Sequence, residues 1–531
     1  MRRRLDARAK SRTSAGAARR GSGALAAACV AAAACGLVAA CTVGPKYRVP
    51  ALPLPSAYAG AAAHSGAALG HAGPASQAAA TADIGAWWRR FHDPELASLV
   101  RRALRGNLDF KSALSRVREA RDEEVIAGAA RLPRLNADAS ANRTRISENS
   151  GITEFEQFFG GGGGGAGGSG GQGAGGFGIP GNVIAAYSVG LDASWETDLF
   201  GGVRRQIAAA GAEAERSVWS ARDSEVMVTA HVASDYLTLR VLQREMVIDR
   251  EEIARQNRTL ALIQARRRFG FVTSLDVSEQ QALLAASQAT VPDLDAQMRA
   301  RIHALGALLG ENPEALRTEL ASFKALPARP PAVPIGLPSQ LLRRRPDIRA
   351  AERELAASSA RIGVAVSDLY PKFSLTGALD FVSLDLQHLV DLSSRQSSVT
   401  GAISWPIFAG RQIQANIRIA EEKNRQALYA YQEAVIGALK DVEDALTRYR
   451  DDRQKDAALR RELAAAQAAE KVALAQYKAG LVNLTPVLST QGSVLSTRDA
   501  LAQSDGALDR DVVTLYEALG GGWERGDRKA P

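Results

Sequence analysis

Four stretches of the chain alternate apolar and polar residues with a period of two, and far longer stretches between them carry apolar residues at helical spacing. In 371–381 the odd positions are Pro371, Phe373, Leu375, Gly377, Leu379 and Phe381, and the even ones are Lys372, Ser374, Thr376, Ala378 and Asp380. In 399–407, Val399, Gly401, Ile403, Trp405 and Ile407 alternate with Thr400, Ala402, Ser404 and Pro406. Val183, Ala185, Tyr187, Val189, Leu191, Ala193 and Trp195 face away from Ser188, Asp192, Ser194 and Glu196. The fourth stretch, 135–144, is weaker, setting Asn136, Asp138, Ser140 and Asn142 against Ala137, Ala139 and Ala141. Segments of about ten residues with one apolar and one polar face suit a transmembrane barrel strand, with lipid on one side and water on the other. A half-buried strand of a soluble sheet has the same period. Lipid does not tolerate open sheet edges, however, and four strands are too few to close a barrel. The chain is therefore expected to pool strands with copies of itself, eight in a dimer or twelve in a trimer. Its lipid face is expected to hold Phe373, Leu375, Leu379, Ile403, Trp405, Tyr187, Val189 and Leu191.

The helical stretches repeat, and so do the strands. Asn107-Leu108-Asp109 answers Arg345-Pro346-Asp347, and Leu132-Pro133 answers Tyr370-Pro371, both 238 residues apart. Trp195 answers Trp405, Phe269-Gly270 answers Ala479-Gly480, and Ala307-Leu308-Leu309-Gly310 answers Glu517-Ala518-Leu519-Gly520, all 210 apart. The offset falls by 28 between Pro133 and Trp195, where a glycine-rich tract at 160–178 interrupts the first copy. The expected plan is a first repeat over 93–325 and a second over 339–522, joined by a Pro/Ala-rich linker at 326–338 and ending in a tail at 523–531. Each repeat opens with a helix. In the first, Asp93 can cap, Pro94 takes the first helical position and the periodicity runs from Leu96 to about Ala130. Strand pairs follow at 132–148 and 181–198, and at 370–384 and 397–409. Long helices then cover 203–269 and 272–310, and 411–479 and 484–520. At ~1.5 Å per residue the longest would each reach about 100 Å, too long to hide an apolar stripe except by packing side by side. The fold class expected is mainly α with transmembrane β, internally duplicated.

Composition changes this picture at one end of the chain. The net charge of +9 suggests nucleic acid until it is located. Arg2, Arg3, Arg4, Arg8, Lys10, Arg12, Arg19 and Arg20 against Asp6 give residues 1–40 a net +7, which leaves +2 for the rest and removes the case for a nucleic-acid partner. That basic stretch precedes an apolar run from Ala24 to Ala40, the pattern of a signal peptide over 1–40. The run ends Leu37-Val38-Ala39-Ala40-Cys41, which resembles a bacterial lipobox, with Cys41 as the lipidated residue opening an extended segment at 41–92. Cys29, Cys35 and Cys41 are the only cysteines, so cleavage before Cys41 would leave no thiol for disulfides or metal. Thr42, in place of an aspartate after the cysteine, resembles the sorting pattern of lipoproteins released to the outer membrane.

Several motifs now resemble one family. Cys41-Thr42-Val43-Gly44-Pro45-Lys46-Tyr47, then Trp87-Trp88 with Phe91 and Asp93-Pro94, is similar to the lipoprotein branch of the outer-membrane factors, the OprM/NodT-type relatives of TolC. Arg344-Arg345-Pro346-Asp347-Ile348, Leu369-Tyr370-Pro371-Lys372-Phe373 and Leu519-Gly520-Gly521-Gly522-Trp523 carry the resemblance further, so that it spans the chain from Cys41 on. It implies a homotrimer with a twelve-stranded barrel in outer-membrane lipid and a twelve-helix tunnel across the periplasm. It also implies two partners, a periplasmic adaptor and an inner-membrane RND transporter. Relatives carry acidic residues at the periplasmic tip of the tunnel, in a Leu-Asp-Ala-Gln-type run of the second copy. Here that run reads Leu488-Ser489-Thr490-Gln491, while the first copy keeps Leu275-Asp276 with Glu279 one turn on. Asp276, Glu279 and Ser489 are thus the candidate gate positions, against the plainer role of helix-cap residues beside Thr273 and Ser274. The segments 266–273 and 477–485 are the expected docking surface for the adaptor.

No chemistry competes with transport. Gly167-Gly168-Ser169-Gly170-Gly171 has the G-x-S-x-G form but lacks the flanking strand and helix of a nucleophile elbow, and no Gly-Lys-Ser/Thr follows for a phosphate loop. The six histidines never fall at metal spacing, and Glu251-Glu252 and Glu421-Glu422 sit on helices beside Arg or Lys. No cofactor and no enzymatic activity are expected. The function expected is the exit duct of a tripartite efflux pump, passively exporting drugs or small amphipathic compounds. A duct for type I protein secretion and a structural periplasmic coiled-coil lipoprotein are the alternatives.

Overall fold

The computed structural model describes residues 42–59, 84–145, 183–327 and 338–523, with 329, 333 and 335 of the connector. The leader, Cys41 and the glycine tract at 160–178 lie outside the described residues. Among the described residues the chain is mostly helical with one small sheet, and it divides into two compact units. The first gathers Met1–Pro45, Val125–Ala208 and Ala360–Ala420, and the second Lys46–Glu124, Ala209–Ser359 and Glu421–Pro531.

The first repeat comprises α1 (Pro94–Gly106), α2 (Leu108–Ala129), β1 (Arg134–Arg145), β2 (Val183–Thr197), α3 (Gly202–Arg268) and α4 (Ser274–Leu309). After a short α5 (Arg317–Leu320) the second comprises α6 (Pro338–Arg344), α7 (Pro346–Ser367), β3 (Lys372–Ser383), β4 (Arg395–Ser404), α8 (Gln412–Lys478) and α9 (Thr485–Ala518). The periodicity from Leu96 to about Ala130 predicts one helix, and the structure has two. Asn107 separates them: its N–H still closes the last turn of α1 on the Ala103 carbonyl (2.8 Å), while its side-chain oxygen accepts from Phe110 N (2.8 Å) and caps α2. Such competing side-chain bonds are why asparagine stops helices that apolar spacing alone would continue.

Two pairs of hydrogen bonds recur at the offsets seen in the sequence. Asn107 Nδ2 donates to the Leu308 carbonyl at 2.9 Å, and at the matching positions Arg345 Nη1 donates to the Ala518 carbonyl at 3.1 Å. Each satisfies a carbonyl at the end of a long helix, where no intrahelical donor remains. The turns that follow are left-handed in both, with φ of 69° at Gly310 and 72° at Gly520. A Cβ on Gly106 would fall 2.0 Å from the Leu309 carbonyl oxygen, and one on Gly520 would fall 2.9 Å from the Arg345 Cα, so both junctions require glycine. The Trp195 indole donates to the Arg131 carbonyl (3.0 Å) and the Trp405 indole to the Leu369 carbonyl (3.1 Å), again at matching positions.

The core of the second unit is built where the repeats' shorter helices meet the long ones. Trp87, Phe91, Leu96, Leu99, Tyr236, Leu237, Tyr431, Val442, Leu446 and Tyr516 belong to one buried cluster, with the Trp87 and Tyr516 rings stacked 5.2 Å apart. Within it Arg240 is wholly buried, its charge met by Glu95 at 2.6 Å and Gln243 at 2.5 Å. Burial of that guanidinium is tolerated because its partners are supplied on the spot.

Candidate functional site

The sheet has the order β1-β2-β3-β4, antiparallel throughout, so β1 and β4 are its open edges. In an antiparallel ladder directly paired residues share a face. The pairings Ala137↔Leu191, Leu191↔Leu379, Val189↔Phe381 and Trp195↔Leu375 therefore collect apolar residues on one side, and Phe373↔Ile403 and Gly377↔Val399 extend that side to the edge strand. The opposite face carries Asn136↔Asp192, Asp138↔Gly190, Gly190↔Asp380, Ser140↔Ser188 and Thr376↔Thr400. Of the residues expected to face lipid, seven lie on the apolar side within β2, β3 and β4 (Tyr187, Val189, Leu191, Phe373, Leu375, Leu379 and Ile403). Trp405 lies one residue beyond β4, which stops at Ser404 because Pro406 has no N–H to donate.

The register also places the ends. Arg134↔Ser194, Glu196↔Ser374 and Lys372↔Ser404 set all four helix-linked strand ends at one end of the sheet. The strand-to-strand connections leave the other. At the helix end four aromatic side chains gather: Trp195 and Trp405, each tied by its indole to a carbonyl, and Phe200 stacked on Tyr370 at 4.7 Å. Amphipathic rings at the boundary of an apolar band are how barrels mark the membrane interface. No helix among the described residues is long and apolar enough to cross a membrane.

Three acids share the polar face within two adjoining rows, Asp138, Asp192 and Asp380. A Cβ on Gly190 would lie 1.8 Å from Asp380 Oδ1, so the glycine leaves room for that carboxylate over the strand. Sequence reasoning puts these acids on the water side but cannot make them neighbours, because register is not written in the alternation.

At the same level as the aromatic residues the structure seats the start of the described chain. Val43 N donates to the Phe200 carbonyl (3.1 Å), and Arg205 donates through Nε to the Val43 carbonyl (3.0 Å) and through Nη2 to the Gly44 carbonyl (3.1 Å). A Cβ on Gly44 would fall 2.5 Å from the Gly363 Cα, and one on Gly201 2.9 Å from the Thr42 side chain. The seat reads backbone, which is why its sequence signal is scattered glycines and one arginine far along the chain.

The candidate gate positions fall at the two hairpin turns of the second unit. Ile263, Val277, Ala473, Tyr477, Leu484 and Val487 form a small core that binds α3, α4, α8 and α9 together there. Asp276 closes a capping box: Thr273 N and Oγ1 both donate to its carboxylate at 2.7 Å, and Asp276 N donates back to Thr273 Oγ1 at 3.3 Å. Glu279 follows on the same helix, and Ser489 is exposed on α9. Around them Phe269, Phe271, Leu275 and Leu481 are all more than 60% exposed, and the Arg266 guanidinium lies 4.8 Å from the Tyr477 ring. No cluster of three or more His, Cys, Asp or Glu among the described residues could hold a metal ion.

The family described as "Outer membrane efflux protein" matches residues 99–311 and 337–521. The chain is 32% identical to the pyoverdine export outer membrane protein OpmQ of Pseudomonas aeruginosa, over 83% of this chain and 88% of OpmQ. It is likewise 32% identical to the outer membrane protein OprJ of Pseudomonas aeruginosa, covering 92% of this chain and 94% of OprJ. The solved outer-membrane channel OprN superposes with a TM-score of 0.78 at 32% identity, over 91% of this chain and all of that one.

Proposed function

The chain belongs to the outer membrane efflux protein family, and from that premise we propose that it is the exit duct of a tripartite RND-type efflux pump, passing drugs or other small amphipathic compounds from periplasm to outside without catalysing a reaction. The observation that carries this is the sheet: one face mainly apolar, with Arg143, Arg145, Arg395 and Ser397 at the end away from the helices, the other mainly polar, and both edges unpaired among the described residues. The unpaired N–H and C=O groups of a strand edge cannot be left open in lipid. Three copies joining β1 of one to β4 of the next give a closed barrel of twelve strands, and their long helices give the twelve-helix tunnel. Cys41 carries the lipid anchor in the outer membrane.

The hairpin turns supply the periplasmic end. Phe269, Phe271 and Leu481 offer exposed apolar contacts beside Arg266, Arg267 and Arg268, and a periplasmic adaptor that links the duct to the inner-membrane RND transporter docks there. Asp276, Glu279 and Ser489 lie at the aperture. With Asp276 committed to the capping box, it shapes the turn that holds the aperture rather than acting as a free charge. Selectivity rests with the transporter, and the polar face of the sheet contributes only a general preference for charge.

The test is retention of a panel of dyes and antibiotics in a strain lacking this chain, beside a survey of its culture medium. Raised retention of amphipathic compounds, reversed by the intact gene, is the expected result. Unchanged retention together with a protein missing from the medium would replace drug efflux by polypeptide secretion. No change in either would remove the functional claim.

A further inference from the structure

Helix α9 carries a run of acids, Asp499, Asp505, Asp509 and Asp511, and three of them face acids of other helices as well as bases. Asp511 is 4% exposed, its Oδ2 is buried without a partner, and the carboxyl of Asp452 on α8 faces it. One turn of α8 further on, Asp456 faces Asp505, with Arg460 set between them and bonded to both. Two carboxyls can share a hydrogen bond only if one of them keeps a proton. On the α3 side, Asp499 sits beside Glu245, Asp249 and Glu252, all three more than nine-tenths buried, and its Oδ1 is buried without a partner.

The helices cannot relax this crowding by drifting apart. Gly506 on α9 lies so close to α3 that an added Cβ would meet the Val241 side chain at 2.0 Å. On the α8 side Thr497 is tied to Glu462 at 3.1 Å and Asp505 to Arg460 at 2.6 Å. The cations nearby are largely spoken for. Arg460 also pairs with Asp456, Arg329 of the connector pairs with the 2% exposed Asp509 at 2.8 Å and with Asp505 at 3.7 Å, Arg498 points to Glu251, and Arg255 to Glu252 and Glu470. Arg448 and Arg510 face Asp511, Arg510 also faces Glu245, and Arg301, committed to Asp235, faces Arg510.

We propose that α9 is a proton-operated latch of the helical wall: its acids share protons with the carboxyls of α3 and α8 in mild acid, which draws the three helices together, and loss of those protons sets like charges against each other and loosens α9. Burial, then the neighbouring acids, pushes Asp499 up to about 7; burial also pushes Asp509 up to about 6 and raises Asp505 and Asp511. A carboxyl whose pKa is higher folded than unfolded stabilises the folded form most in acid. That contribution is complete below the unfolded range near pH 4 and is lost as pH rises through about 7. The latch therefore tightens on acidification across the mildly acidic range, and it does so whether or not the protein conducts.

The experiment is hydrogen–deuterium exchange on the full chain in detergent, reading α9 over 497–513 and correcting for the intrinsic pH dependence of exchange. Protection of this segment is expected to fall about tenfold or more between about pH 5.5 and 8, the effect of one displaced carboxyl proton. In Asp499→Asn/Asp511→Asn, which keeps the shape without the charge, protection at the higher pH should match the wild type in acid and change less than about twofold with pH. Asp452→Asn, altered on the facing helix, should give part of the same relief and guards against a fold defect in α9. Protection independent of pH in the wild type, or pH dependence undiminished in the asparagine variants, would overturn the latch.

Discussion

Arginine placed at successive heights on the two faces of β3 should respond as a membrane demands. Leu379 pairs with Leu191 and Ser397 on the apolar face, and Ala378 pairs with Asp192 and Ser398 on the polar one. Leu375, on the apolar face beside Trp195, lies four residues nearer the aromatic boundary. Four residues at ~3.4 Å each, on a strand tilted ~40°, correspond to about 10 Å of depth, close to half the ~25 Å apolar band. On the proposed barrel, Leu379 would sit near the midplane and Leu375 near the interface. Leu379→Arg should cost ~2–4 kcal/mol per chain, Leu375→Arg about 0–1 kcal/mol, and Ala378→Arg little, since it meets water and the Asp192 carboxylate. Denaturant unfolding in phospholipid vesicles, followed by tryptophan emission, measures each; the yield of membrane-extracted oligomer gives a second ranking. If Ala378→Arg proves as damaging as Leu379→Arg, or Leu375→Arg more so, the apolar face does not meet lipid.

Three other substitutions probe features described above. Gly106→Ala would push a methyl group into the Leu309 carbonyl and should lower stability by about 1–3 kcal/mol, whereas Gly128→Ala, with open space around it, should not; thermal unfolding separates them. Gly363→Leu collides with Arg205, whose Cδ lies 2.8 Å from the Cβ position, and should release residues 42–44, so that trypsin cuts sooner after the exposed Lys46 and Arg48; unaltered cleavage would show that the seat does not hold residues 42–44. Asp138→Asn/Asp192→Asn/Asp380→Asn removes the carboxylates of the polar face, and reversal potentials in planar bilayers should move away from cation preference; an unchanged potential would place the water path elsewhere.

How much of this was legible in sequence depends on the range of the forces involved. Alternation is local, so β2 and β3 stand out: Leu191 and Leu379 are large, and Asp192 and Asp380 beside them are charged. In β1 the apolar positions are alanines, and the signal fades although the strand pairs fully with β2. Along 399–407 the alternation ran past Ser404 to Ile407, because periodicity does not register the donor that Pro406 lacks. Asn107 was visible as a repeat position facing Arg345, yet its double role as helix stop and clamp on Leu308 depends on a helix 201 residues away. The Arg205 seat and the facing acids of α9 were hidden for the same reason: each needs two remote segments in register before its chemistry exists. The family resemblance was readable throughout because its motifs are the junctions, Arg345 against Ala518 and the Trp523 indole on the Arg344 carbonyl.

The open edges of the sheet have a consequence for how the protein is made. On the proposed twelve-stranded assembly, a chain that cannot complete its own barrel would have no stable inserted form to wait in, so insertion and association would be one event. Its rate then rises more steeply than in proportion to the number of chains present. A modest fall in synthesis would cost disproportionately many finished channels, and chains with a defective edge would spoil sound ones that pair with them. Dosage, more than turnover of the finished assembly, becomes the sensitive control on how much duct a cell carries.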